Sequence, residues 1–127
     1  MSRDLFNDVT STTLRKTLDA TVLRQKAIAS NIANVETPGY KRAAVSFEGE
    51  LKRVLDRSRG PQALDAVKSL QPIRQTDTQS PARPDGNNVN IDAEIADLNK
   101  TVLLNRAATT LLQIRGNMMK SAVEAKR

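Results

Sequence analysis

Two groups of carboxylates lie close enough in sequence to act together: Glu48 with Glu50, and Asp92, Glu94 and Asp97. Paired carboxylates can divide acid and base, or acid and nucleophile, between them when both reach one cleft. Neither group fits. Two residues apart on a helix, Glu48 and Glu50 point to different sides. The second group falls at the start of a predicted helix, where negative charge meets the positive end of the helix dipole. The chain has His 0 and Cys 0, which excludes Ser-His-Asp and Cys-His nucleophiles, His/Cys zinc sites and disulfides. No Gly-rich phosphate loop is present. The residues therefore argue for no enzymatic activity, no cofactor, no metal and no small-molecule substrate.

At 127 residues the chain has room for one small domain, 1–127. Its only aromatics are Phe6, Tyr40 and Phe47. With so few rings it must rely on aliphatic stripes, and on neighbouring chains to cover them. Net charge is +6 and the pI near 10.1, which raises a rival reading: a cytoplasmic helical regulator binding nucleic acid through a basic surface. The distribution opposes it. Residues 1–59 carry 11 basic and 7 acidic side chains and residues 60–127 carry 9 and 7, the densest clusters being pairs such as Lys41-Arg42. A recognition helix would concentrate that charge or interleave it with aromatics. No run reaches the ~18–20 apolar residues of a membrane span. The N-terminus lacks the apolar core of a signal peptide, so any export must proceed without a cleaved signal.

The positioning elements are mainly α. A Thr10-Ser-Thr-Thr13 cluster suits an N-cap. From it the stripe Leu14, Leu18, Thr21, Gln25, Ile28, Ile32, Val35 predicts a helix over about 11–36 in heptad spacing. Thr37-Pro38-Gly39-Tyr40 ends it, with Pro-Gly suited to a type II turn. Within 37–60 a short amphipathic helix capped by Ser46 is expected, stopped by Gly60-Pro61. Residues 61–88 lose sustained periodicity and read as a long irregular loop with a short extended piece near Leu70–Arg74; a loop of that length is functional or disordered in the free molecule. A last helix capped by Asn90 or Asp92 covers 90–124, with the stripe Ile91, Ile95, Leu98, Val102, Asn105, Thr109, Leu112, Gly116, Met119, Val123 and a companion row including Leu111. Two long terminal helices pairing in coiled-coil fashion leave apolar rows uncovered, which need partner helices.

The segment Ser30-Asn-Ile-Ala-Asn-Val-Glu-Thr-Pro-Gly-Tyr-Lys41 resembles the signature of bacterial flagellar rod and hook axial proteins. Its continuation through Val45-Ser46-Phe47-Glu48, and Asn87-Asn-Val-Asn-Ile-Asp92-x-Glu94, are most similar to the proximal rod members of that family. The pattern departs at Asn105 and Gly116, where aromatics are expected.

The resemblance implies a structural protein of the periplasmic rod, the drive shaft that carries torque from motor to hook. Its implied partners are copies of itself, other flagellar rod proteins, base-ring and rod-adapter components, and the flagellar type III export apparatus. The signature residues Asn31, Ala33, Asn34, Thr37, Pro38, Gly39, Tyr40 and Lys41 then build the turn. Asn31 and Asn34 satisfy helix-end carbonyls, Gly39 takes a positive φ, and Tyr40 and Lys41 face a neighbour. Leu14, Leu18, Ile28, Ile32 and Val35 are expected to pack against Ile91, Ile95, Leu98, Val102, Leu111, Leu112 and Met119, within and between subunits. An Asp at Ile28 is expected to spoil association while leaving the monomer soluble.

Overall fold

The computed structural model describes residues 8–126. Phe6 and the segment 1–7, over which the sequence argues against a cleaved signal, lie outside the described residues, as does residue 127. The chain order is α1 (Val9–Ala33), β1 (Ala43–Ser46), α2 (Glu48–Arg57), α3 (Pro61–Ser69), β2 (Ile73–Thr76) and α4 (Ile91–Glu124).

α1 is capped by Asp8, whose carboxylate accepts from the Ser11 amide at 2.9 Å. The Thr10–Thr13 cluster is therefore its first turn and not its cap, because an Asp is already in place upstream. The helix ends at Ala33 rather than 36, with Asn34 as C-cap, and Val35 belongs to the turn. The Tyr40 amide bonds back to the Thr37 carbonyl across Pro38-Gly39, and Gly39 has φ 73°.

The middle of the chain is more ordered than its sequence suggests. Residues 43–46 form β1, so α2 starts behind Phe47 and Ser46 does not cap it. β1 pairs antiparallel with β2, Ala43 opposite Thr76 and Ser46 opposite Ile73. The expected 61–88 loop is broken by α3 and β2; residues 70–72 and 77–90 remain irregular. Gly60-Pro61 is a start as well as a stop. Gly60 turns the chain at φ 67°, and Pro61 opens α3, where a missing N–H costs nothing.

The core lies between α1, β1 and α3. Ala20, Ala27 and Ile28 meet Ala43, Phe47, Ala63 and Val67, all buried. Phe47, only 2 % exposed, is the largest fully buried side chain, so one ring fills most of the space that small residues leave.

α4 runs 34 residues, about 51 Å at 1.5 Å per residue, and packs along α1. The helices are antiparallel: Thr21 faces Asn105, and Asn31 faces Glu94. The buried row of α4 is Glu94, Thr101 and Ala108, a heptad apart. It stands one residue, about 100° of rotation, from the expected Ile95, Val102 and Thr109. Leu98, Val102, Leu112 and Met119 are half-buried, whereas Ile91, Ile95 and Leu111 are exposed. On α1, Leu14, Leu18 and Ile32 are half-buried and Ile28 is buried. The departure has a physical cause: Thr, Asn and Ala let the two backbones approach and hydrogen-bond across, and the larger apolar rows are left outside.

Gly116 lies in α4 with open space where a Cβ would stand. Replacing it with Ala removes backbone entropy from the unfolded chain at no steric cost. Gly116→Ala is expected to raise stability by about 0.5–1 kcal/mol, read as a shift of the urea midpoint at unchanged slope.

Candidate functional site

The signature turn and the Asn87-Asn88 segment are held face to face. The Gly39 amide donates to the Asp85 carbonyl at 2.8 Å, and the Lys41 ammonium donates to the Gly86 carbonyl at 2.6 Å. Gly39 and Gly86 touch: a Cβ on Gly86 would stand 3.3 Å from the Gly39 Cα, and both residues have positive φ. The Asn87 side-chain amide donates to the carbonyls of Asn34 (3.0 Å) and Thr37 (2.8 Å) and accepts from the Val89 amide. One buried side chain therefore satisfies two carbonyls of the helix end and turn while setting up the entry to α4.

Behind the turn lies a buried polar joint. Asn31 donates to the Ala43 carbonyl at 2.9 Å and to Glu94 Oε2 at 3.0 Å. Its carbonyl oxygen accepts from the Ala43 amide at 2.8 Å and from the Tyr40 hydroxyl at 3.1 Å. α1 thus reads β1 through a side chain as a neighbouring strand would. Glu94, fully buried, receives Arg42 Nε on its other oxygen at 2.6 Å. Arg42 also meets Asp77 at 2.9 Å and Asp97 at 3.8 Å. Asn88 closes the ring, accepting from the Arg42 amide and donating to the Asp77 carbonyl, both at 2.7 Å.

Burial opposes the charge on Arg42, but the Glu94 and Asp77 carboxylates outweigh it and raise its pKa. The Ser80 hydroxyl, Arg42, and the Ser80 and Gln79 amides hold the Asp77 carboxyl well below its ordinary 3.8. A depressed carboxylate pKa means that the unfolded chain binds the extra proton. The stabilisation is therefore full above about pH 4 and is lost as pH falls from there toward the folded value. Asp77→Asn is expected to flatten the acid limb of the stability curve. Urea midpoints from pH 6 to pH 2.5 check this, and an unchanged limb contradicts it.

The structure places the sequence-singled residues as follows. Asn34 bonds the Ser30 carbonyl at the helix end, as expected, while Asn31 spends its side chain on β1 and α4. Thr37 bonds Asn34, Ala33 and Pro38 are exposed, and the Tyr40 hydroxyl and Lys41 ammonium make hydrogen bonds within their own chain. Arg42, Asp77, Asn87, Asn88 and Glu94 form the joint, and all but Asp77 lie in segments that the sequence marks. Glu94 is not merely a dipole partner. Glu48 forms a bidentate pair with Arg24 at 2.7 Å, which lowers its pKa, and Glu50 pairs with Arg53, so the two carboxylates serve separate cations.

On the outside, α4 presents Leu103 (70 % exposed), Leu111, Ile114 and Met118 along one side, with Ile91 and Ile95 on another flank. A monomer rarely leaves such a ridge to water.

A stiff two-helix frame, locked at one end and apolar along its outside, is the build of a structural subunit. Residues 12–41 match the family described as flagella basal body rod protein. The chain is 41 % identical over 95 residues to the flagellar basal body rod protein FlgB of Borrelia hermsii, covering 64 % of this chain and 70 % of that protein. It is 33 % identical over 120 residues to the FlgB of Salmonella typhimurium, covering 82 % and 86 %, and 30 % identical over 119 residues to that of Escherichia coli, with the same coverage. The chain belongs to the FlgB family of flagellar basal-body rod proteins, structural proteins of the flagellum and not enzymes.

Proposed function

We propose that this chain is a subunit of the proximal rod, joining copies of itself and other rod proteins through its terminal helices to start the periplasmic drive shaft. The observation that carries the reading is the apolar ridge of α4, Leu103, Leu111, Ile114 and Met118, exposed on a helix of 34 residues. A shaft that carries torque needs stiff elements along its axis, and a 51 Å helix backed by a second helix supplies one. The ridge supplies the adhesive, since apolar area removed from water contributes about 25 cal/mol per Å². Contact with base-ring and rod-adapter components belongs to the same reading, because a first rod subunit must sit on them.

Passage through the flagellar type III apparatus suits a chain with no disulfide to reduce and few rings to unpack. Among the described residues, no helix is long and apolar enough to cross a membrane.

Deleting the gene and imaging isolated basal bodies by electron microscopy tests the proposal. Rings without a rod in a non-swimming strain are expected. Complete basal bodies with hooks would refute it.

A further inference from the structure

We infer that polar rungs across the α1–α4 seam, rather than apolar burial, select which face of α4 meets α1 and in which register. Three rungs cross the seam. Arg115 donates to Ser11 Oγ at 3.2 Å and pairs with Asp8. Asn105 Nδ2 donates to Thr21 Oγ1 at 2.7 Å. Asn31 donates to Glu94 at 3.0 Å. Steps of ten residues up α1, from 11 to 21 to 31, are matched by steps of ten and eleven down α4, from 115 to 105 to 94. A ten-residue step is about 2.8 turns, so successive rungs are offset by about 80° around α1, while on α4 all three fall within about 80°.

Apolar burial alone does not choose this arrangement. The α4 face turned to α1 carries Glu94, Thr101 and Ala108, while Ile95, Leu103, Leu111, Ile114 and Met118 stay exposed. A rotated α4 could bring part of that exposed apolar row onto α1. A slip of one heptad would set Asn105 against Leu14 or Ile28, and Thr21 against Leu98 or Leu112. In either case Asn105 and Thr21 lose each other, and Thr21 is fully buried in the native seam. The rungs act as a register code of the kind that single buried polar residues provide in helix pairs. Their effect is to keep the apolar ridge on the outside of the subunit.

The register belongs to the isolated subunit, so its test is independent of rod assembly. The chain lacks cysteine, and the exposed Lys26 and Arg106 can be replaced by cysteines carrying nitroxide labels for pulsed dipolar spectroscopy. The otherwise native chain is expected to give one narrow distance. In the Thr21→Val, Asn105→Leu, Arg115→Leu variant a second distance is expected, displaced by up to about 10 Å for a heptad slip, with a melting temperature equal to or above native. Thr21→Ser, which keeps the hydroxyl, is expected to retain the single distance. A single unshifted distance in the triple variant overturns the inference, because the rungs then do not select the register. A triple variant that fails to fold also overturns it, because the rungs are then supports and not selectors.

Discussion

Glu94→Ala disconnects the hairpin from α4 and lowers stability by about 3–5 kcal/mol, the cost of removing one member of a buried ion pair. Stability for 127 residues is on the order of 6–19 kcal/mol, so much of the fold is at stake. The loss has identifiable parts. Arg42 Nε and Asn31 Nδ2 both lose their acceptor at Glu94. Asp77 and Asp97 still face the guanidinium, which keeps the variant from losing everything. Glu94→Gln keeps one acceptor and turns an amide toward the other donor, so it falls between native and Ala. Urea unfolding gives the ordering directly. An Ala variant within 1 kcal/mol of native would mean that the joint is not anchored by this carboxylate.

The second large effect is on motility. Leu111→Asp with Ile114→Asp abolishes swimming while the subunit stays folded, because both side chains stand about half exposed and touch solvent in the lone chain. Helicity and melting temperature are expected within the range of surface changes, about 0.5 kcal/mol each. Ile28→Asp is the contrast. Ile28 is 3 % exposed and sits in the subunit's own core, so a charge there unfolds the monomer rather than only spoiling association. A swimming strain with the double ridge variant would remove the ridge from the assembly surface.

The two long helices were legible because 3- and 4-residue spacing persists over many turns, and the last cap was narrowed to Asn90 or Asp92, of which Asn90 accepts from the Ala93 amide. The middle was not. Ala63 and Val67 are a single turn of buried apolar spacing, too brief to outweigh Gly60-Pro61 before them. β2 is exposed along its whole length, so no alternation marks it. The seam misled for a deeper reason. A stripe search assumes that the most apolar row is the buried one; Thr21 and Ile28 of the expected α1 stripe are buried, but so are Asn31, Glu94 and Thr101, which no stripe included. The joint was hidden in the same way: Asn31, Asn87 and Asn88 each read as turn-formers, and only the fold shows that they bond to one another's segments. The signature turn was easier, since Pro38-Gly39 states its own geometry.

The first and last long elements of this chain are each other's partners. The rungs close loops of 63, 84 and 104 residues, among the longest the chain can form. Loop closure is slow and entropically costly before its contacts form. While the chain emerges N-terminus first from the ribosome, α1 can meet β1 and α3 early, but its longest partner, α4, follows only in the final quarter of the sequence. The assembled seam is therefore an event of chain completion: a subunit truncated just before residue 94 keeps α1 and the hairpin but loses every rung between α1 and α4.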